Sequence, residues 1–182
     1  FCAAVAFLTA WHGPAVAAES AAAEVPEFVG EAACTTCHNK ENKHFTETTH
    51  AKVFRLNPRN DQEARVCEAC HGPGSLHIKN PTDKSALIGF TKYWATPVAK
   101  QSAQCLSCHQ GGSQLHWMGS MHATNQLSCA DCHNPMEKNS VNGLLAKTTI
   151  NDTCESCHQQ QKHDFDKRSH MPLHEGKMSC VD

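Results

Sequence analysis

The sequence predicts a mostly α-helical and coil protein of short helices, with little or no β-sheet. Three observations predict it. Leu, Ile, Val and Phe together number 29 of 182 residues, too few to offset the conformational entropy lost on folding. Ten of the twelve cysteines fall into five C-x-x-C pairs. Loops rich in Gly, Pro, Asn and Ser separate these pairs, and no alternating strand pattern occurs.

Each C-x-x-C pair is followed directly by a histidine, and C-x-x-C-H is the attachment signature of haem c. The two thiols stand about one helical turn apart, so that both can reach the vinyl groups of one porphyrin. The next residue then directs an imidazole at the iron. We expect haem c at five complete sites, with a sixth begun at Cys180. The expected covalent attachments are Cys34, Cys37, Cys67, Cys70, Cys105, Cys108, Cys129, Cys132, Cys154, Cys157 and Cys180, and the expected iron ligands are His38, His71, His109, His133 and His158.

Structural zinc and disulfides are the alternative uses of such cysteine pairs. With 14 histidines in 182 residues, a histidine after all five pairs has a chance probability of roughly three in a million. A disulfide framework gives no reason for those histidines. Haem is therefore favoured, and it also supplies the missing core, because porphyrins are large apolar plates. The expected fold is a multihaem c-type cytochrome whose short helices wrap around a haem chain, and the apoprotein is expected to be largely unfolded.

The second axial ligand of each iron has several candidates. His50, His122 and His170 come first because each follows an aromatic residue by five positions, at a similar distance after a motif. Residues 43–56 and 162–171, which contain His50 and His170, are each expected to form a short helix that ends before Pro58 or Pro172. His77 follows a Gly-Pro-Gly-Ser turn, and His116 and His174 are further candidates. His44 and His163 are weaker ones. Methionine is the other option, with Met118, Met121, Met136, Met171 and Met178 available. Histidine is favoured because it is more numerous and recurs at a fixed spacing.

The two ends of the chain predict an exported protein with further motifs. Residues 1–17 resemble a partial signal peptide, with an apolar run and a small-x-small cleavage site at Ala15-Val16-Ala17. A membrane anchor is the alternative, but the run is short of the roughly 20 residues that span a bilayer. Residues 18–182 then form the multihaem region, which ends within a sixth motif at Cys180. The expected location is the periplasm, where haem c is attached.

The charge pattern argues against a nucleic-acid partner. The formal net charge is −2, and the 16 Lys and Arg residues are scattered along the chain. A nucleic-acid-binding face needs a concentrated basic stripe. We therefore expect no nucleic-acid partner.

Several segments resemble the periplasmic decahaem cytochromes of the DmsE/MtrA type. They are the Cys67-to-His77 segment with its Gly-Pro-Gly-Ser turn, Ser128 to Pro135, and Ser169 to Cys180 with its Glu-Gly-Lys-Met sequence. The resemblance covers about residues 27 to 182 and corresponds to the first half of such a protein. It implies an outer-membrane-associated electron conduit, held by an outer-membrane β-barrel. Such a conduit works between periplasmic or inner-membrane carriers and an extracellular cytochrome or mineral.

The expected function is electron transfer through bis-histidine haems, without catalysis. It would serve extracellular electron transfer, in metal reduction or iron oxidation. The alternative is a multihaem oxidoreductase acting on nitrite or hydroxylamine, which would need an iron with an open position outside this part of the chain. A smaller soluble shuttle of about five haems is a third reading, and a sixth motif argues against it.

Overall fold

The computed structural model describes residues 24–182, and the predicted signal peptide at residues 1–17 lies outside them. The described residues form short helices joined by turns, with no β-strand and a single antiparallel bridge between His133 and Leu145. The predicted fold class is therefore confirmed. The α-helices are α1 (Glu31–Thr35), α2 (Asn39–Thr46), α3 (Thr49–Leu56), α4 (Asp61–Ala64), α5 (Glu68–His71), α6 (Ser75–Lys79), α7 (Val98–Leu106), α8 (Met121–Thr124), α9 (Ile150–Glu155) and α10 (Gln159–Phe165). Short 3-10 helices cover Lys84–Ala86, Lys92–Trp94, Gly112–His116 and Cys129–Asp131.

All five C-x-x-C-H motifs adopt the same tight turn. In each motif the carbonyl of the first cysteine accepts a hydrogen bond from the amide of the second cysteine and another from the amide of the histidine. The bonds to the histidine amides are 2.9 to 3.1 Å long. One helical turn therefore carries both thiols and the imidazole, as the spacing of the motif predicts.

Two predicted helices differ in extent from the observed ones. A single helix was expected over residues 43–56, but α2 and α3 meet at a break, where the Thr48 hydroxyl caps α3 by accepting a hydrogen bond from the amide of Ala51. The helix ends at Leu56, before Pro58, as expected. A helix was also expected over residues 162–171, whereas α10 ends at Phe165.

The apolar core of the described residues is small. Phe45, Ala51 and Val66 form its buried centre, and the partly buried Phe54, Cys67 and Met136 pack against it. Such a cluster buries far less apolar surface than a domain of this length needs for stability. Additional apolar groups must therefore complete the folded protein. No helix within residues 24–182 has the length and apolar character required to cross a membrane.

Candidate functional site

Three motif histidines each face a second histidine from another part of the chain. The ring centres of His38 and His77 are 6.1 Å apart, with 26° between the ring planes. Those of His109 and His50 are 6.0 Å apart, at 81°. The pair of His158 and His122 has ring centres 5.9 Å apart, at 66°.

These separations match the space that one iron atom needs between two imidazoles. A metal–imidazole nitrogen bond is about 2.0 Å long, which puts the centres of two rings on opposite sides of one metal roughly 6 Å apart. Rings packed face to face would be closer, at ordinary van der Waals distance, whereas rings in edge contact have centres at a similar separation. The three pairs therefore fit the axial positions of a haem c attached at the corresponding motif.

A histidine that binds a metal uses one ring nitrogen for the metal and usually donates a hydrogen bond from the other. The ring nitrogens of His50 and His77 meet part of this requirement. Each has a buried Nδ1 that forms no hydrogen bond within the described residues. Burial, and then the positive charge of His109, lower the pKa of His50. His50 is therefore neutral at neutral pH, which is the form of imidazole that binds a metal.

His77 owes its place opposite His38 to the turn that follows the second motif. Helix α5 ends at Gly72, whose φ of 78° lies in the left-handed region that glycine adopts without strain. Pro73 and Gly74 then lead into α6, which carries His77 back over the first motif. The sequence predicted this return of the chain, but not which motif histidine it would meet.

The remaining two motif histidines are oriented by backbone carbonyls. The Nδ1 of His71 lies 2.8 Å from the carbonyl oxygen of Ile88, and the Nδ1 of His133 lies 2.7 Å from that of Gly143. An Nδ1–H that donates to a carbonyl leaves Nε2 free for a metal and fixes the plane of the ring. Burial lowers the pKa of His71, so that its ring is neutral. The structure pairs no second imidazole with either ring within residues 24–182.

The acceptors at Ile88 and Gly143 escaped prediction from sequence. A backbone carbonyl carries no side-chain signal that could mark it as a partner. In both cases a loop folds back onto the motif that precedes it in the sequence. The number of residues between the motif and the carbonyl depends on how the intervening chain folds.

The other predicted second ligands lie away from the motif histidines. Both nitrogens of His170 are occupied, one by the carbonyl of Lys167 and the other by Glu175 at 2.9 Å. His174 lies between Glu155, at 2.9 Å, and Asp166, at 3.1 Å. His116 is exposed at the end of a 3-10 helix. These three assignments stay predictions.

The thiols of successive motifs approach one another in an unbroken series. The first cysteines of motifs one and two, Cys34 and Cys67, lie close enough to shift each other's pKa. The second cysteines of motifs two and three come next: burial, and then the charge of Cys108, raise the pKa of Cys70 to about 11. The same influence of one thiol on the pKa of another continues between the first cysteines Cys105 and Cys129, the second cysteines Cys132 and Cys157, and the first cysteines Cys154 and Cys180.

This alternation places each motif near the next one. Cys129 illustrates the proximity, because its interaction with the Cys105 thiol lowers the pKa of Cys129 well below the usual value for a thiol. None of the eleven cysteines of residues 24–182 forms a disulfide. No cluster of three or more His, Cys, Asp or Glu side chains suited to a bare metal ion occurs in that range.

Comparisons with known proteins agree with this site. A family described as cytochrome c-type protein, NrfB-like, matches residues 67–151, which hold the second, third and fourth motifs. The chain is also 35% identical, over 156 residues, to the multiheme cytochrome MtrA of Shewanella baltica (strain OS185). That alignment covers 84% of this chain and 45% of the relative, so the chain spans less than half of the relative's length. The chain is thus similar to multihaem c-type cytochromes, and its five repeated C-x-x-C-H turns agree with that similarity.

Proposed function

We propose that this protein conducts electrons along a series of covalently held haems and carries out no bond chemistry of its own. The observation that carries the proposal is the set of three histidine ring pairs, with ring centres 5.9 to 6.1 Å apart, that bring motif histidines opposite histidines from other parts of the chain. Each pair would hold one haem iron between two imidazoles, and the electrostatic influence between thiols of successive motifs supports a close spacing of neighbouring haems.

We assign five covalent sites and three complete axial pairs. The thiols of each motif hold one haem c, which supplies a one-electron Fe(III)/Fe(II) couple when bound. His38 with His77, His109 with His50, and His158 with His122 are the proposed axial pairs, supported by their separations. His71 and His133 are proposed as ligands on one side of their irons. His116, His170 and His174 remain candidates for the second positions, together with histidines elsewhere in a longer chain.

Paired imidazoles favour electron transfer over catalysis. Two ligands that stay bound in both oxidation states leave no position for a substrate, and they need little rearrangement when the charge changes. The carbonyls of Ile88 and Gly143 add a second effect, because an imidazole that donates from Nδ1 becomes a more electron-rich ligand. A haem iron bound there would be stabilised in its ferric state, which would lower its reduction potential.

The proposed place of work is the periplasm, at the outer membrane. The resemblance to the DmsE/MtrA cytochromes and the 35% identity to MtrA support it. The proposed partners are a periplasmic or inner-membrane electron carrier on one side and an outer-membrane β-barrel with an extracellular cytochrome on the other. A pull-down from detergent-solubilised outer membranes tests this placement, with recovery of a barrel protein as the expected result.

A stopped-flow experiment tests the proposed activity. The fully reduced holoprotein is mixed with a chelated ferric complex, with nitrite or with hydroxylamine, while the haem absorbance is followed. We expect rapid re-oxidation of all haems by the ferric complex and no sustained turnover of either nitrogen compound. Steady nitrite or hydroxylamine turnover would support the oxidoreductase alternative. In that event the irons at His71 and His133 are the first to examine, because the described residues give these two no opposing imidazole.

A further inference from the structure

The second motif contains a buried carboxylate that none of the proposed haem contacts requires. Glu68 follows Cys67 directly, and only 4% of its surface is exposed. Burying a carboxylate is costly unless hydrogen bonds replace the lost water. The bonds that replace it here reach outside the motif, to two separate segments of backbone.

The carboxylate of Glu68 binds the segments that precede two different helices. Its Oε2 accepts from the amide of Gly30 at 2.9 Å, and its Oε1 accepts from that of Gly74 at 2.8 Å. The amide of Val29 adds contacts of 3.0 and 3.2 Å to the two oxygens. Hydrogen bonds from several amides to a buried charged acceptor are stronger than those between neutral groups.

Those two helices carry the two sides of one haem site. Gly30 is the N-cap of α1, which leads through Cys34 and the first motif turn to His38. Gly74 is the N-cap of α6, which carries His77. One carboxylate therefore binds the start of both segments, the one that leads to His38 and the one that carries His77. The ring centres of these two histidines are 6.1 Å apart.

The packing around this link leaves little freedom. A Cβ on Gly74 would lie 3.0 Å from a methyl of Val29 and 3.3 Å from Oε1 of Glu68. The backbones of residues 27 and 75 are also joined, by a bond of 3.2 Å from the amide of Ser75 to the carbonyl of Glu27 and one of 2.8 Å from the amide of Glu27 to the hydroxyl of Ser75. These contacts fix the distance between the start of α1 and the start of α6, and they lie close to Glu68.

We propose that Glu68 is a positioning residue that fixes the distance between His38 and His77, so that the haem attached at Cys34 and Cys37 keeps both axial ligands. The proposal rests on the assignment of those two histidines as axial ligands made above. Glu68 thereby contributes to two haem sites. It lies within the second motif, which attaches one haem, and its side chain aligns the ligands of the haem attached at the first motif.

The test compares the full holoprotein with its Glu68→Gln variant by electron paramagnetic resonance of the ferric state. Glutamine keeps the size of the side chain, but it has one acceptor oxygen and turns an NH₂ group toward amide donors. We expect an unchanged haem content, with one haem's share of the low-spin signal replaced by a high-spin signal. Glu47→Gln is the matched control, because Glu47 is exposed and forms no ion pair within residues 24–182, and it should match the wild type.

Two further variants separate this proposal from the ligand assignment. His77→Ala should convert the same single haem to high spin, and adding Glu68→Gln to it should change the spectrum no further. If His77→Ala leaves every haem low-spin, the ligand assignment itself fails. If His77→Ala converts one haem while Glu68→Gln retains the wild-type spectrum, the positioning role is wrong and the assignment stands. Loss of low-spin signal from several haems in Glu68→Gln would show a general role in folding and would also overturn the proposal.

Discussion

The imidazole of His50 lies 6.0 Å from that of His109, centre to centre, although His50 follows the first motif and His109 completes the third. The helix α3 that carries His50 packs through Ala51 into the small apolar core, which also contains Val66 at the edge of the second motif. A single short helix thereby connects three consecutive motifs. The same arrangement recurs where His122, which follows the third motif, faces His158 of the fifth.

Replacing His50 with alanine should remove one axial ligand from the iron held by His109. The haem should stay attached, because its thioether bonds to Cys105 and Cys108 do not depend on His50. We expect one haem to become high-spin in the ferric absorption and magnetic resonance spectra. Lys52→Ala serves as the control, because Lys52 is exposed on the same helix. An unchanged low-spin spectrum in His50→Ala would remove His50 from the ligand set.

The angles between paired rings predict distinguishable magnetic signals. Nearly perpendicular imidazole planes bring two iron d orbitals close in energy, which makes a low-spin ferric signal strongly anisotropic. The pair of His50 and His109, at 81°, should give such a signal, whereas His38 and His77, at 26°, should give an ordinary rhombic one. Loss of only the rhombic signal in His77→Ala checks the assignment, and loss of the anisotropic one instead would contradict it.

The stability of the folded protein should depend on Glu63 in a pH-dependent way. Glu63 is 1% exposed and accepts hydrogen bonds from the Arg59 guanidinium at 2.7 and 3.0 Å, and these bonds lower its pKa. A lowered carboxyl pKa stabilises the fold above the usual pKa, and this contribution is lost as the pH falls through the lowered value.

We therefore expect Glu63→Gln to lower the Tm of the holoprotein by several degrees at neutral pH, and the difference from the wild type to shrink on acidification. Thermal unfolding followed by circular dichroism at several pH values measures this. Asp61→Asn, an exposed change on the same helix, is the control. A difference that stays constant across the pH range would contradict the ion pair as its source.

Preventing haem attachment should unfold the chain. The buried cluster of Phe45, Ala51 and Val66, with the isolated buried residues Ala69, Ile88 and Leu173, is too small a core to hold together the ten short α-helices of residues 24–182. The protein expressed without its haem-attachment machinery, or with all motif cysteines changed to serine, should show little helical circular dichroism and no cooperative melting. Native-like helicity and a sharp transition without haem would contradict this dependence.

The fold class and the turn of each C-x-x-C-H motif were predictable because they depend on local chemistry. A C-x-x-C-H sequence dictates its own turn, and the structure repeats that turn five times. The scarcity of aliphatic residues likewise predicted short helices without a sheet. The break at Thr48 was missed, because a threonine inside a helical pattern can either continue the helix or cap a new one.

The pairing of ligands could not be predicted, because it depends on contacts between distant parts of the chain. His50, His77, His122 and His170 had equally good local signals, yet only the first three lie opposite a motif histidine among the described residues. Glu68 also escaped notice, since its position inside a motif gives no sign that its side chain binds amides elsewhere. Such long-range contacts are a property of the folded chain.

Carbon monoxide binding to the fully reduced holoprotein tests the central claim most directly. Carbon monoxide binds ferrous haem only where an axial position is open or readily vacated, so that irons held between two imidazoles should resist it. The account predicts that at least three haems of the wild type keep their spectrum, and that His50→Ala, His77→Ala and His122→Ala each add the carbon monoxide spectrum of one further haem. Rapid binding to every haem of the wild type would contradict the paired ligation, and with it the proposal that this chain is an electron conduit.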